Sequence, residues 1–334
     1  MSSRAPSYPV LIGGLTVLSI LLFAASLLIG PAAIGFWDSL AALIAGEGEA
    51  ATLVMREIRL PRAILGFMIG ATLGLSGAVL QGLLRNPLAD PGLLGISASA
   101  SLGAVIAIYT GLSAAFALAL PLSALLGAVL AVLAVQALAG AHGGNLTLIL
   151  AGVAVSSLAA ALTSLALNLS PNPFAALEIV FWMLGSLQDR AMTHVVLAAP
   201  FMLLGWAMLA GLGRSLDALT LGEDAAASLG VNLRRVRLLA VFGTASAVGA
   251  ATSVAGAIGF IGLVVPHLLR PLVGGRPSRL LLASALAGGA VLLAADVATR
   301  VLAPGRDLKL GVLTAIVGAP FFLWLIYRTR RAML

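Results

Sequence analysis

Residues 70–95 read GATLGLSGAVLQGLLRNPLADPGLLG. The first half carries no charge before Arg85, and Gly70, Gly74, Gly77 and Gly82 give a helix one face almost free of side chains. Such a face suits tight helix packing or the wall of a passage. Asn86-Pro87 and Asp90-Pro91-Gly92 then force a turn, because proline stops a helix and Asn, Asp and Gly favour tight turns. A long uncharged helix ending in a hard polar turn is the pattern of a chain that crosses a bilayer and doubles back.

The same pattern repeats outward in both directions. Apolar runs separated by charge and Gly/Pro punctuation predict spans near 10–30, 61–82, 95–113, 117–140, 146–168, 192–212, 236–256, 258–273, 279–301 and 310–327. Little polar sequence marks the cuts near 113–117 and 256–258. Hydrophobic residues make up 61% of the 334 and charged residues 9%, with a mean hydropathy of +1.12. A soluble domain carries roughly 25% charged residues, so this chain has no water-facing surface all round. Alternation with period two is absent, so the spans are helices rather than barrel strands. The expected fold is all-α and polytopic, a single transmembrane domain over residues 1–334 with about ten transmembrane helices.

Arg4 followed by the apolar stretch Val10–Ile29 resembles a signal peptide, but that stretch exceeds the usual apolar region of about 7–15 residues. A retained first helix is expected. Cysteine is absent, which excludes disulfides, thiolate metal sites and cysteine nucleophiles, and no metal site is expected. The net charge of +7 belongs to arginines flanking membrane helices, not to a nucleic-acid surface. With the N-terminus inside, Arg4, Arg85, Arg214, Arg234, Arg235, Arg237, Arg270, Arg276, Arg279, Arg328, Arg330 and Arg331 fall on the inner side. Arg56, Arg59, Arg62, Arg190, Arg300, Arg306 and Lys309 fall outside. Twelve against seven predicts a multi-pass protein with both termini in the cytoplasm. Residues 171–190, opening on Pro171-Asn172-Pro173, are too broken for a span and read as an interfacial or re-entrant helix on the outer side.

Several stretches carry chemistry. Arg59-Leu60-Pro61-Arg62 opens the second span, with proline in a first helical turn where its missing N–H costs nothing. Arg56 lies three residues earlier, so a helix would align the three on one face. Outward arginines suit acidic side chains of a partner, since guanidinium pairs with carboxylate. The alternative is a set of interfacial anchors. Gly74-Leu75-Ser76-Gly77 is a GxSG string, as in an intramembrane serine protease. Its base would have to be His142, His194 or His267, and these fall near span ends.

Residues 219–232 form the longest hydrophilic passage with their flanks. Thr220 and Glu223 read as a capping box, with Asp224 in the first turn. The alanines include Ala225 and Ala226, Leu229 follows, and Gly230 is a stop. Asn232 reads as the cap of a second short helix carrying Arg234, Arg235 and Arg237. Two short helices at about 214–235 make a lever for another protein to grip. Gly256, Gly259, Gly262 and Pro266 predict a bent or interrupted helix where a passage is lined, and His267 reads as a capping or interface residue.

Uphill transport needs an energy source. Asp296 is the clearest acid within a span, four residues before Arg300 and so a natural i,i+4 partner. No series of intramembrane carboxylates marks a proton-driven carrier. A P-loop needs Gly-Lys-Ser/Thr, and the only lysine lies in Leu308-Lys309-Leu310. The energy must come from a separate ATPase.

In order, IRLPR (58–62), SGAVLQGLLRNPLADPGLLG (76–95), LILAGVAVSS (148–157), LGEDAAASLGV (221–231), AGAIGFIGLVVPHLLR (255–270), LLAADVATR (292–300) and GVLTAIVGAPFFLWLI (311–326) closely resemble the permease family of ABC importers for iron–siderophore complexes, haem and cobalamin. The resemblance implies the type II importer architecture. It implies a homodimer in a bacterial inner membrane, two ATPase subunits that hold ATP and Mg, and a periplasmic binding protein. The permease itself is then non-catalytic and binds no cofactor. The arginines matching Arg59, Arg62 and Arg300, with Arg56 nearby, would receive the binding protein. Leu221, Gly222, Glu223, Asp224, Ala225, Ala226, Leu229 and Gly230 would dock on the ATPase. Asn145, Leu146 and Thr147 correspond to a cytoplasmic gate, where Gly143-Gly144 departs from some relatives. Gly77, Gln81, Asn86, Pro87, Pro91, Gly92, Gly256, Gly259, Gly262 and Pro266 fall in the stretches expected to form the pathway and its turns. A ferric siderophore is the expected cargo, with haem and cobalamin as alternatives.

Overall fold

The computed structural model describes residues 6–46, 48–116, 118–140, 144–170, 172–306 and 308–333. Arg4, His142, Gly143 and Pro171 lie outside the described residues, as do the side chains of Arg328, Arg330 and Arg331. In chain order the helices are α1 (Tyr8–Leu28), α2 (Phe36–Ile44), α3 (Glu49–Leu53), a π-helical turn (Val54–Arg59) and α4 (Leu60–Leu83). A 3-10 turn (Pro91–Leu94) leads to α5 (Ile96–Tyr109), α6 (Leu112–Ala115), α7 (Ala119–Ala139), α8 (Asn145–Asn168), α9 (Pro173–Met183) and α10 (Met192–Ala210). Then come α11 (Gly213–Leu219), α12 (Glu223–Ser228), α13 (Leu233–Ala255) and α14 (Ile261–Leu269) with a 3-10 extension (Arg270–Val273). The chain finishes in α15 (Pro277–Leu302) and α16 (Leu310–Met333).

Each of the ten expected spans coincides with a helix. Seven of these, α1, the continuous helix 49–83, α7, α8, α10, α13 and α15, are long and apolar enough to cross a membrane. The span expected at 258–273 is a partial one. Residues 256–259 are unwound, and the nine residues of α14 reach about 14 Å, half of the roughly 30 Å hydrocarbon core. Phe260, at φ +69°, turns the chain into α14 from a region that bulky side chains rarely occupy. The interruption expected from the glycines is therefore real.

α4 is the centre of the bundle, with eighteen of its 24 residues buried. Three of its glycines, Gly70, Gly74 and Gly77, let the backbones of other helices in. A Cβ on Gly70 would lie 2.2 Å from the carbonyl oxygen of Gly288 in α15, and one on Gly77 only 1.9 Å from that of Gly262. A bilayer supplies no hydrophobic drive between helices, so such close contact, with hydrogen bonds such as Trp206 Nε1 to Thr72 Oγ1 (2.8 Å), is what associates them. Gly259 is the contrast, since a Cβ there would meet nothing within 4 Å.

The segment expected to be interfacial or re-entrant contains α9, capped by the Asn172 side chain, which accepts from the Phe174 N–H at 2.8 Å. Its eleven residues are too few to cross. Its exit loop meets the α13–α14 break: the Ser186 N–H donates to the Ala255 carbonyl at 2.8 Å. The start of α16 joins them through the Gly311 N–H and the Gly185 carbonyl at 3.3 Å.

Candidate functional site

At one end of the bundle, the π-helical turn before α4 changes what the arginines can reach. Its wider i→i+5 winding breaks the single face expected for Arg56, Arg59 and Arg62, and each takes a separate partner. Arg56 donates to the terminal carbonyls of α2, at Ala42, Leu43 and Ile44. Arg59 donates to Leu27 and Leu28 at the end of α1 (2.9 and 3.0 Å) and to Ala32. It is 3% exposed, so in this fold it offers no open guanidinium to a partner. Cations fit there because carbonyls at a helix C-terminus are unpaired and negative.

Arg62 grips both oxygens of Asp296, with Nε at 3.0 and 3.1 Å and Nη2 at 2.8 Å. Arg300 meets the same carboxylate at 2.8 Å, which realises the i,i+4 pairing and makes Asp296 a hub. The other donors of Arg300 reach the Ser26 carbonyl (2.9 Å), the Ser26 hydroxyl (2.8 Å) and the Ile29 carbonyl (2.6 Å). Arg59 and Arg300 thus hold the end of α1 together. These groups floor a cavity of about 970 Å³, whose wall includes the exit loop of α9. Among the described residues that line it are five arginines and three carboxylates, a basic lining suited to acidic partners.

At the opposite end, the segment expected to couple to a partner is built differently from the sequence expectation. No capping box forms. Thr220 closes α11 and its hydroxyl donates to the Asp217 carbonyl, while Gly222 precedes α12 with no side-chain cap. Glu223 instead accepts from Asn145 Nδ2 at 3.1 Å, and the same amide donates to the Leu83 carbonyl at 3.3 Å. One side chain therefore joins the first turn of α8, the last turn of α4 and the start of α12. Asn232 does cap the next helix, accepting from the Arg235 N–H at 2.9 Å. That helix is α13 itself, so Arg234, Arg235 and Arg237 belong to a span and the lever consists of α11 and α12.

The lever is firmly mounted. Leu216, Leu219 and Ala226 are buried, and Asp217 Oδ1 accepts from the Ser278 N–H at the head of α15 (2.8 Å). Leu221 and Leu229 project outward, 68% and 65% exposed, and Gly230 takes φ +83°, confirming the stop. Leu146 and Thr147 are exposed beside Asn145.

The predicted turn after α4 folds under α14. The Asn86 side chain accepts from the Leu88 N–H, and that of Asp90 from the Gly92 N–H. Burial pushes the Asp90 carboxyl up, against the Gly92 N–H, which pulls it down. Pro91 is buried against Gly262, while Pro87 stays exposed. Gln81, buried, donates to the Leu263 carbonyl (3.2 Å) and accepts from Arg270 (2.8 Å). Gly77, Gln81 and Gly262 thus bind α4 to α14, with Pro91 packed on Gly262 and Pro266 buried within α14. Gly256, at φ +73°, closes α13 with no room for a Cβ beside the Trp182 carbonyl.

Ser76 is fully buried and its hydroxyl has no hydrogen-bond partner among the described residues, so no base activates it as a protease nucleophile would require. Asp296 is committed to two guanidiniums and is not placed as a proton carrier. Sequence reasoning missed Asp217, Arg270 and the role of Arg62 toward Asp296, because each depends on a partner at least 61 residues away.

The profile of the FecCD transport family matches residues 17–328. The haemin transport permease HmuU of Yersinia pestis is 37% identical over 329 residues, covering 96% of each chain. The cobalamin import permease BtuC of Halobacterium salinarum is 41% identical over 283 residues, 84% of this chain and 75% of that one. The Fe(3+) dicitrate permease FecD of Escherichia coli is 39% identical over 277 residues, 83% of this chain and 86% of that one. A solved structure described as an inward-facing conformation of a metal-chelate type ABC transporter superposes with a TM-score of 0.85. It is 32% identical and covers 96% of this chain and 99% of its own. Matched along almost its whole length in both sequence and fold, the chain belongs to the FecCD transport family.

Proposed function

We propose that the chain is the membrane-spanning permease subunit of an ABC importer for a metal chelate, with a ferric siderophore as cargo. The observation that carries this reading is the full-length likeness to permeases named for ferric dicitrate, haemin and cobalamin. The subunit works as a homodimer in the bacterial inner membrane with both termini in the cytoplasm. An ATPase subunit grips α11 and α12 of each copy, and the exposed Leu221 and Leu229 supply the apolar contacts such a grip needs. The arginine-lined cavity faces the periplasm and receives a cargo-loaded binding protein. ATP and Mg are held by the ATPase, and the permease contributes no catalytic group. Haem and cobalamin are the alternative cargoes, and mass spectrometry of the ligand on the binding protein separates the three.

The test is reconstitution in liposomes with the ATPase and binding protein encoded beside it. Expected are vanadate-sensitive hydrolysis and chelate accumulation; uptake driven by a pH gradient without ATP would overturn the reading. Within that system, Arg306→Glu at the exposed edge of the cavity should lower binding-protein-stimulated hydrolysis about tenfold, since like charges at an interface cost several kcal/mol; Arg62→Glu is unsuitable because it would set a second carboxylate against Asp296. Arg59 is a poor choice for the same test, because its removal uncaps α1.

A further inference from the structure

α2 has an apolar side that the rest of the chain leaves uncovered. Phe36, Leu40 and Ile44 recur every four residues and Trp37 stands beside them, so the four fall within about 100° of the helix circumference. All four are exposed, Trp37 by 76% and Ile44 by 75%, and none is charged. Ser39 and Ala42, on the inward side, are buried. Asp38 lies on the far side of the helix from the apolar arc and lines a recess with Ala32 and Val54. Those two residues also line the arginine cavity, so the acidic side of α2 is turned toward the cavity and the arc away from it.

Its neighbours fix the depth of α2. It follows α1, the least buried of the seven long apolar helices and so a helix of the perimeter. The link between the two is pinned by Arg59, which donates to the carbonyls of Leu28 and Ala32. Arg56 pins the other end through the carbonyls of Leu43 and Ile44. Both arginines belong to the π-helical turn that opens α4, so α2 is clamped level with the ends of two spans. Its nine residues reach about 14 Å, too little to cross a core of roughly 30 Å. A short helix at this level with an unbroken apolar arc is built to lie in the boundary between headgroups and acyl chains. Phe36 and Trp37, packed edge to face at 5.1 Å, begin the arc, and aromatic rings gather at that boundary. A soluble protein approaching the cavity meets the other side of α2.

We infer that α2 is a membrane-interface helix, lying in the plane of the bilayer at the cavity end with Phe36, Trp37, Leu40 and Ile44 set among lipid. Because Arg56 joins α2 to the turn before α4, the bilayer itself then holds the rim of the cavity at a fixed depth. None of this depends on the cargo or on the importer reading; it needs only a chain that spans a bilayer.

The chain has no cysteine, so Trp37→Cys, Asp38→Cys, Leu40→Cys and Ile44→Cys can each carry a single spin label. Each full chain is reconstituted, without ATPase or binding protein, in vesicles of phosphatidylethanolamine and phosphatidylglycerol. Collisions with oxygen, which concentrates in hydrocarbon, are compared with collisions with a water-soluble nickel chelate. Labels at 37, 40 and 44 are expected about 5–10 Å into the boundary layer, with oxygen the more frequent collider, and the label at 38 shallower. Chelate collisions as frequent at 37, 40 and 44 as at 38 would mean a water-facing arc left for a soluble partner, and would overturn the inference. Shielding of the same three labels from both reagents would mean that protein, such as a second copy of the chain, covers the arc, and would overturn it too. A label-free measurement guards against disturbance by the substitutions. The fluorescence lost in Trp37→Phe should be quenched by lipids brominated high on the acyl chain and spared by acrylamide in the water; the reverse contradicts burial in lipid.

Discussion

Asp296 answers two guanidiniums with one carboxylate. Removing one partner of a buried ion pair leaves the others uncompensated. Asp296→Asn should therefore destabilise the protein by about 3 kcal/mol, read as a lower unfolding temperature in detergent, with the end of α1 more open to proteolysis. A change within error would mean that solvent screens the cluster. Half of this arrangement was legible in the sequence: Asp296 and Arg300 stand four apart on a helix, and that spacing alone pairs them. Arg62 was not, because 234 residues separate it from Asp296 and periodicity says nothing about such distances. The shared face expected for Arg56, Arg59 and Arg62 failed for a local reason, a π-helical turn that no residue pattern announces.

Glycine has two opposite meanings among these helices. At Gly77 an added methyl would strike backbone, 1.9 Å from the Gly262 carbonyl, and α4 and α14 would have to separate. At Gly259 the methyl would meet open space. Gly77→Ala should cost more than the roughly 1–3 kcal/mol of ordinary overpacking, because backbone cannot turn aside as a side chain can. Gly259→Ala should fold normally. Size-exclusion profiles and unfolding temperatures of the two variants check this, and equal behaviour would contradict the packing described. From sequence these glycines were indistinguishable, since each simply sits in an apolar run. The helices themselves were readable because bilayer thickness dictates their length, and Gly230 and Asn232 acted as their chemistry predicts. The capping box at Thr220 was misread: Glu223 had a better donor in Asn145, 78 residues earlier.

Across the whole molecule, the Asn145 amide makes the hydrogen bond that ties α12 directly to α8, the helix opened by the residues expected to form a gate. If the lever drives the gate, Asn145→Ala should leave ATP hydrolysis near its normal rate while chelate uptake per ATP falls about tenfold, a coupling loss of ordinary size. Parallel losses of both activities would place Asn145 in assembly instead. The clasp on α1 has a further consequence, which concerns time. Arg300 holds the carbonyls of Ser26 and Ile29, and Ser19 bonds to the Leu286 carbonyl, so α1 gains these holds only when nearly the whole chain has been made. The 274 residues between Ser26 and Arg300 take on the order of tens of seconds to make at roughly 5–20 residues per second. Arg59 grips the end of α1 from the neighbouring helix long before that, so the clasp closes in two steps, an early local one and a late one from α15.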